Sequence, residues 1–145
     1  MVSVREISRK NVDLCSELDA YSINLWNQKQ WISEIKKKGV KAFALFLSTK
    51  VIGVTVIQVV VDEAQLHYFS IHPEFRRNGY GRYLMKKVIN KCENLGLKKI
   101  LLEVSEDNSI AEKFYFEFDF FTVGKRRNYY KDGSDAILKE KKITK

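Results

Sequence analysis

Residues 72–82 have the sequence His-Pro-Glu-Phe-Arg-Arg-Asn-Gly-Tyr-Gly-Arg, between an apolar strand pattern and an amphipathic helix pattern. The first turn of a helix presents backbone N–H groups that have no partner inside the helix, at the positive end of its dipole. Gly79 and Gly81 lack the Cβ atoms that would keep a phosphate at a distance, and three arginines of the segment add positive charge. The segment therefore predicts a phosphate site, although a plain strand-to-helix turn has similar glycines. It is neither a Walker loop, which needs Gly-Lys-Ser/Thr, nor a dinucleotide fingerprint, which needs a third glycine.

The chain before this segment has both strand and helix patterns. Val2 to Ile7 alternates and predicts a strand, while Asn11 and Gly39 are residues that begin and end helices. The predicted elements are a strand at Val2–Ile7, helices from Asn11 to about Tyr21 and at Asn27–Lys38, a hairpin of Phe43–Leu47 and Val51–Val61, and a strand at Ala64–Ile71.

The chain after the segment begins with the longest predicted helix, Gly79–Leu95, whose buried stripe is Leu84, Val88, Cys92 and Leu95. The next strand, Lys99–Val104, has the unbroken apolar run of a strand buried on both faces. Asn108 caps a helix at Ser109–Glu117, and strands follow at Phe120–Val123 and Tyr129–Leu138. This order predicts an α/β fold with a mixed sheet and helices on both faces, in one domain spanning residues 1–145.

Composition excludes several classes of protein. The 145 residues are 45% hydrophobic with one proline, which argues against a disordered chain. No apolar run has the length of a membrane span, and the N-terminus lacks the apolar core of a signal peptide, so we predict no membrane association and a cytoplasmic location. Cys15 and Cys92 are isolated and are predicted to pack as small apolar groups on helices. Because the chain has only two histidines, we predict no metal.

The motif Arg76-x-x-Gly79-x-Gly81 resembles the acetyl-CoA pyrophosphate loop of the GNAT N-acetyltransferases. The resemblance extends from Val51 to Leu138 and is strongest to the RimI-type ribosomal-protein-alanine N-acetyltransferases. It implies a single-domain GNAT fold, with a mixed sheet of about seven strands flanked by about four helices. The segments that carry it are Val59-Val60-Val61-Asp62-Glu63-Ala64, residues 76–82, Leu102-Glu103-Val104 with Asn108-x-x-Ala111, and Arg126-Arg127-Asn128-Tyr129-Tyr130 with Asp135-Ala136.

One segment departs from the family pattern. The family usually has Leu-Gly-Phe after the short helix, whereas this chain has Phe118-Asp119-Phe120. Aspartate tolerates a left-handed backbone better than most residues, so we expect the turn to be kept.

Glu103 ends a buried apolar strand, at the edge where open α/β sheets bind their ligands. From the residues alone, its carboxylate is either a general base or a structural partner for an arginine. The resemblance implies the base, which takes a proton from the amine nucleophile directly or through a water.

Tyr115 lies in the short helix among phenylalanines. From the residues alone it is either a core aromatic or a catalytic acid. A phenol with an ordinary pKa near 10 can protonate a thiolate whose thiol has a pKa near 8.5, and the resemblance implies this role. Asn108 is then both helix cap and a contact for the cofactor arm.

The resemblance also implies the cofactor and substrate contacts. In this fold the pantetheine arm pairs with an exposed strand edge, and a backbone N–H near Ile71 can stabilise the oxyanion. Tyr129 and Tyr130, otherwise a plain amphipathic strand, border a peptide groove that Trp26 and Trp31 close on the other side. The implied acetyl-CoA contacts are Phe69, Ser70, Ile71, Arg76, Arg77, Asn78, Gly79, Tyr80, Gly81, Arg82 and Asn108.

We therefore predict acetyl transfer from acetyl-CoA to the α-amine of a protein N-terminus, with the N-terminal Ala of a small-subunit ribosomal protein as the expected substrate. The alternatives are a GNAT acting on lysine side chains or small amines, and a CoA-sensing or RNA-associated module without turnover. The net charge of +8 suits CoA or a surface near RNA, and also suits a lysine-rich exterior. We expect a monomer or weak dimer that needs no direct contact with nucleic acid.

Overall fold

The structure is a computed structural model that describes residues 1–143. Two short 3-10 turns, Arg9–Asn11 and Pro73–Phe75, accompany the main elements. In chain order these are β1 Val2–Ile7, α1 Val12–Tyr21, α2 Gln28–Lys36, β2 Val40–Leu47, β3 Lys50–Val60, β4 Glu63–Ile71, α3 Tyr80–Asn94, β5 Lys99–Ser105, α4 Ser109–Glu117, β6 Phe121–Arg126 and β7 Ala136–Lys142.

The strands form one mixed sheet in the order β1-β2-β3-β4-β5-β7-β6. The pairs β1–β2, β2–β3, β5–β7 and β6–β7 are antiparallel, and β4–β5 is parallel. Seven strands and four α-helices among residues 1–143 confirm the predicted α/β class and element count. The chain divides into two compact units, a first unit of Met1–Val59 and His67–Lys91 and a second unit of Val60–Leu66 with the chain from Cys92 onward.

The first unit is built around apolar residues of α1, α2 and the central strands. Trp31 and Cys15 have no exposed surface in this cluster, and Tyr68 is 3% exposed. Asn27 begins α2 with a capping box, because its side chain accepts from the backbone N–H of Gln30 and Gln30 bonds back to the backbone N–H of Asn27. The helix ends at Lys36, two residues earlier than predicted, because Lys37 is already extended at ψ 145°.

Gly39, predicted at the end of α2, has to be a glycine because its backbone lies close to the backbone of Val59. Its φ is +80°, and a Cβ at this position would lie 2.3 Å from the carbonyl oxygen of Val59. The carbonyl of Gly39 also accepts from the N–H of Val59, at 2.8 Å, so the two backbones meet directly. Any side chain here must push the β2–β3 hairpin apart.

One predicted buried position is wrong, and it lies at a helix end. Leu95 lies just beyond α3 and is 43% exposed. The stripe of α3 is otherwise buried as predicted, at Leu84, Val88 and Cys92. The chain turns away after Asn94, where Gly96 is left-handed and the N–H of Leu97 bonds back to the carbonyl of Cys92.

The second unit contains β5, the short helix α4 and the β6–β7 hairpin. Ile100, Leu102 and Val104 of β5 are buried, while Glu103 points to the other face and is exposed. The expectation of burial on both faces is therefore wrong at Glu103. Lys139 of β7 is 5% exposed, and its ammonium bonds the hydroxyl of Thr122 and pairs with Glu112 of α4.

Asp119 follows α4 in the left-handed conformation, at φ +64°. The N–H of Asp119 bonds the carbonyl of Phe116, and the N–H of Phe120 bonds that of Tyr115. This is the pattern with which a glycine normally closes a helix. The expectation that aspartate keeps the family's turn is confirmed, and Phe120 is buried beyond it.

Both cysteines lie on helices and are fully buried, as predicted. Burial raises the pKa of the Cys15 thiol to about 12 and that of Cys92 to about 11. Asp19 adds to the shift at Cys15 and Glu93 to that at Cys92, since a nearby negative charge disfavours a thiolate. Among residues 1–143, no helix combines the length and apolar character needed to cross a membrane.

Candidate active site

The predicted phosphate site is a backbone turn that leads into α3. Arg77 and Gly79 both have positive φ, at +65° and +81°. The carbonyl of Gly79 accepts the first helical bond, from the N–H of Tyr83 at 3.1 Å, so Gly79 caps the helix. A Cβ built on Gly79 meets no atom within 4 Å. The space before the first turn of α3 is therefore open, which fits a phosphate at a helix N-terminus.

Two side chains of the loop hold the loop itself. Arg76 donates from Nε to the carbonyl of Ile71 at 3.0 Å and from Nη2 to the hydroxyl of Ser22 at 2.8 Å. The Asn78 amide donates to the carbonyls of Phe75, at 3.3 Å, and of Arg76, at 3.1 Å. These contacts fix the backbone of the loop.

The other predicted phosphate contacts lie at the surface or at its margin. Arg77, Gly79 and Arg82 are exposed, whereas Tyr80 and Gly81 are half-buried. Exposed guanidinium groups beside a helix N-terminus favour an anion electrostatically, so the loop fits the diphosphate of acetyl-CoA.

The tip of β4 is the predicted contact for the pantetheine arm. Ser70 and Ile71 are buried, at 5% and 8% exposure, and Phe69 is half-buried. Within the described residues, the β4–β5 register joins Glu63–Gln65 to Lys99–Leu101, and β4 continues for six residues beyond it. The role of these six residues in pairing with a ligand remains a prediction.

Glu103 forms an ion pair in the second unit. Its Oε1 lies 3.3 Å from Nε of Arg126, and 35% of the Glu103 side chain is exposed. The arginine partner that one interpretation of the sequence proposed is therefore present. An exposed pair of this kind contributes little to stability.

Two tyrosines join this ion pair. The guanidinium of Arg126 lies 5.6 Å from the ring centre of Tyr129, which makes an edge contact with Tyr130 at 5.1 Å. The pKa of Tyr130 is raised, first by burial and then by the nearby carboxylate of Glu103. The structure thus brings Glu103 together with Tyr129 and Tyr130, a pair of consecutive residues that lies far from Glu103 in sequence.

The strand predicted at Tyr129–Leu138 is wrong over its first seven residues, since β7 begins at Ala136. A compact turn replaces it, because Asp132 Oδ1 accepts from both the N–H and the hydroxyl of Ser134. The N–H of Tyr130 then bonds the carbonyl of Ser134 at 3.1 Å. Tyr129 and Tyr130 therefore lie in a loop. Because they are not in a strand, the alternative that they belong to a plain amphipathic strand is excluded.

Tyr115 lies on α4, and Asn108 is the residue that caps the start of this helix. The Asn108 side chain accepts from the N–H of Ala111 at 3.1 Å, which confirms the cap. Tyr115 packs against Phe114 and Phe120, each with ring centres 5.6 Å away, so it has the aromatic neighbours of a core residue. Burial raises its pKa to about 12, so the phenol keeps its proton at neutral pH but is a weaker acid than a free tyrosine.

Trp26 is half-buried in the first unit. It makes an edge contact with Trp31, at 4.8 Å between ring centres, and lies 5.7 Å from Tyr68. Trp31 is fully buried and offers no surface to a peptide, so its predicted place in a groove wall is wrong. The predicted role of Trp26 in closing the peptide groove stays a prediction.

Asp19, a fully buried carboxylate on α1, was not predicted from the sequence. Its oxygens accept from Leu25 N and Trp26 N of the backbone and from the side chains of Trp31 and Tyr68. Burial by itself raises the pKa of Asp19, but these hydrogen bonds outweigh it and lower the pKa overall. One signal was available, because Asp19 stands one helical turn after Cys15 on the buried face.

No group of three or more His, Cys, Asp and Glu residues in the described part of the chain is arranged to hold a metal ion.

Residues 11–120 match the model of the acetyltransferase (GNAT) family. The chain belongs to the GNAT family. The GNAT chain is 34% identical over 116 residues to the [ribosomal protein bS18]-alanine N-acetyltransferase of Escherichia coli K12, covering 78% of each protein.

Solved structures agree with this assignment. The ribosomal-protein-alanine N-acetyltransferase of Escherichia coli superposes with a TM-score of 0.92 at 28% identity, over 100% of this chain and 96% of that one. Ard1 of Thermoplasma volcanium, at 23% identity and a TM-score of 0.83 over 99% of each chain, shares the fold. The predicted GNAT fold and RimI-type resemblance are confirmed. The protein is an acetyl-CoA-dependent N-acetyltransferase of the RimI type.

Proposed function

We propose that this GNAT enzyme, a single domain over residues 1–145 working in the cytoplasm as a monomer or weak dimer, acetylates the N-terminal α-amine of a protein. The proposed substrate is a small-subunit ribosomal protein that begins with Ala. The observation that carries the proposal is the 34% identity, over 78% of both chains, to an enzyme named for that reaction.

Amine chemistry supports an α-amine as nucleophile. An N-terminal amine has a pKa of about 7.7–8.0, so roughly a tenth is neutral at pH 7, whereas a lysine amine with a pKa of about 10.4 is neutral only to a few parts in ten thousand. A single exposed carboxylate such as Glu103, already paired with Arg126, can therefore deprotonate an α-amine more easily than a lysine amine. A lysine substrate requires roughly two further decades of help from base strength or desolvation.

In the proposed mechanism, Glu103 takes a proton from the substrate ammonium, directly or through a water. The neutral nitrogen attacks the acetyl carbonyl carbon that acetyl-CoA supplies, and the carbonyl oxygen becomes an oxyanion beside the N–H of Ile71. As the oxyanion collapses, the C–S bond breaks while the new C–N bond remains, and the nitrogen releases its second proton to solvent. Tyr115 donates its proton to the leaving sulfur and is then reprotonated from solvent.

The raised pKa of Tyr115 sets a condition on this last step. Transfer from a phenol with a pKa of about 12 to a free thiolate is unfavourable by several units. A thiolate that leaves inside a poorly hydrated site is itself more basic, since burial disfavours its charge. Tyr115 then first donates a hydrogen bond and transfers its proton as the sulfur leaves.

Two peptides of one sequence test the substrate. One has a free N-terminal Ala, and the other carries lysines and a blocked N-terminus. We expect acetylation of the first at its α-amine, located by fragmentation in a mass spectrometer. Preferential labelling of the blocked peptide would assign the enzyme to lysine acetylation, and failure with both would favour a small amine or a module without turnover.

The role of Glu103 is tested with Glu103→Gln. We expect unchanged acetyl-CoA affinity by calorimetry and turnover slowed about a hundredfold, the effect of losing a general base. Glu106→Gln is the matched control, because Glu106 lies near the end of the same strand and its carboxylate bonds the backbone N–H of Asp135. Wild-type turnover in Glu103→Gln would contradict the assignment.

A further inference from the structure

The guanidinium of Arg76 joins two parts of the first unit. Its Nε donates to the carbonyl of Ile71 at the end of β4, and its Nη2 donates to the hydroxyl of Ser22, just after α1. The Ser22 hydroxyl also bonds the hydroxyl of Ser70. The Arg76 side chain, at the start of the loop, thus forms hydrogen bonds with both the end of β4 and the segment that follows α1.

The peptide group between Ile71 and His72 is held on both sides. Its carbonyl accepts from Arg76 at 3.0 Å, and its N–H donates to the carbonyl of Ile52 at 2.7 Å. A guanidinium presents donors in a rigid planar fork, so Arg76 can serve Ile71 and Ser22 at fixed directions, which a lysine ammonium cannot do in the same way.

The segment after α1 is ordered by a second anchor. The N–H groups of Ser22 and Asn24 bond the Asp19 carbonyl, and those of Leu25 and Trp26 bond its carboxylate. Residues 22–26 therefore depend on Asp19 from inside the core and on Arg76 from the loop.

The phosphate site does not need this guanidinium. Its open space lies at Gly79 and the first turn of α3, and Asn78 ties the loop backbone to the carbonyl of Phe75. Arg77 supplies exposed positive charge one residue further on.

We propose that Arg76 is a positioning residue whose side chain fixes the Ile71–His72 peptide and residues 22–26, and does not bind the cofactor's phosphates. The inference rests on the proposed function for its kinetic part. There the N–H of Ile71, which belongs to the adjoining Ser70–Ile71 peptide group, stabilises the oxyanion, and Trp26 contacts the peptide substrate. Loss of the guanidinium should then appear in turnover and peptide KM more than in acetyl-CoA affinity.

The kinetic test compares Arg76→Gln with Arg77→Gln, which removes the same charge from the next residue, and with Arg76→Lys, which keeps the charge. We expect both glutamine variants to weaken acetyl-CoA by the same small factor in calorimetry. At saturating acetyl-CoA, the Arg76 variants, including Arg76→Lys, should have a peptide kcat/KM about tenfold or more below that of Arg77→Gln, the scale of a misplaced reacting group. Ser22→Ala should raise the peptide KM and leave acetyl-CoA affinity unchanged.

Hydrogen exchange provides a readout that is independent of activity, so a wrong substrate does not obscure the result. In Arg76→Gln we expect faster exchange of the amides of residues 22–26 than in the wild-type protein, with no change in Arg77→Gln. The proposal is overturned if these amides exchange alike in both variants. It is also overturned if Arg76→Gln weakens acetyl-CoA far more than Arg77→Gln while the peptide kcat/KM at saturating acetyl-CoA is kept.

Discussion

Replacing Asp19 with asparagine tests what the buried carboxylate contributes to the first unit. In the structure, Oδ1 accepts from Leu25 N at 3.0 Å and from the Tyr68 hydroxyl at 2.8 Å. Oδ2 accepts from Trp26 N and from Trp31 Nε1, both at 2.9 Å. Asparagine has nearly the same shape, but one of its two polar atoms is a donor.

The cost follows from this geometry. With the amide oxygen in the Oδ2 position, Trp26 and Trp31 keep an acceptor, and the Tyr68 hydroxyl can rotate to accept from the new NH₂ group. The N–H of Leu25 then faces a donor and loses its partner, which costs about 1–3 kcal/mol. Loss of the charge from the remaining bonds adds about 1 kcal/mol. We expect Asp19→Asn to lower the free energy of unfolding by about 2–4 kcal/mol.

The pH dependence has a definite sign. The pKa of Asp19 is lowered on folding, so its contribution is fully present above the unfolded value of about 3.9 and is lost as pH falls through the folded value. The difference between wild type and Asp19→Asn should thus be constant from pH 8 to pH 6 and should shrink only below roughly pH 4.

Urea denaturation followed by tryptophan fluorescence measures this difference at each pH. Asp13→Asn is the control, because Asp13 is an exposed aspartate in the first turn of the same helix and asparagine keeps the oxygen that accepts from Gln28. Loss of its charge near the helix N-terminus should lower stability by no more than about 1 kcal/mol. Equal stability of Asp19→Asn and the control, or a difference that already shrinks between pH 8 and pH 6, would refute the reasoning.

Three further variants test the site. Gly79→Asp should abolish acetyl-CoA binding in calorimetry, because it places a carboxylate in the open space and strains a φ of +81°; retained affinity in a folded variant would move the phosphate site elsewhere. Tyr115→Phe should slow turnover about a hundredfold with acetyl-CoA affinity nearly unchanged, and full activity would remove the phenol from the mechanism. Tyr130→Ala should raise the peptide KM and leave that of acetyl-CoA alone, whereas the reverse would place Tyr130 on the cofactor side.

The parts of the fold that follow local rules could be predicted from the sequence. The turn into α3 was predictable because glycines at a strand-to-helix junction have few other uses, and Gly79 indeed has positive φ. The left-handed Asp119 was predictable because aspartate tolerates that conformation and the neighbouring helix had to end. Both turns depend on only a few consecutive residues.

The errors arise where distant residues decide the structure. The four donors that hold Asp19 lie between six and 49 residues from it, so no local pattern identifies the network. Tyr129 and Tyr130 have strand-like side chains, but the Asp132-Gly133-Ser134 turn overrides that propensity. The two contacts of Arg76 likewise depend on where β4 and α1 end, which the motif alone does not specify.

The buried cysteines have a practical consequence for the study of this enzyme. Every turnover releases CoA with a free thiol, and disulfide reagents that detect thiols react with the thiolate form. With pKa values of about 12 and about 11, Cys15 and Cys92 are ionised only to roughly one part in ten thousand and one part in a thousand at pH 8, and neither is exposed. A colorimetric thiol reagent can therefore follow the reaction continuously in the native protein without a background from its own cysteines. The same reagent would report unfolding by a slow rise of two equivalents per chain, so one trace can separate catalysis from loss of structure.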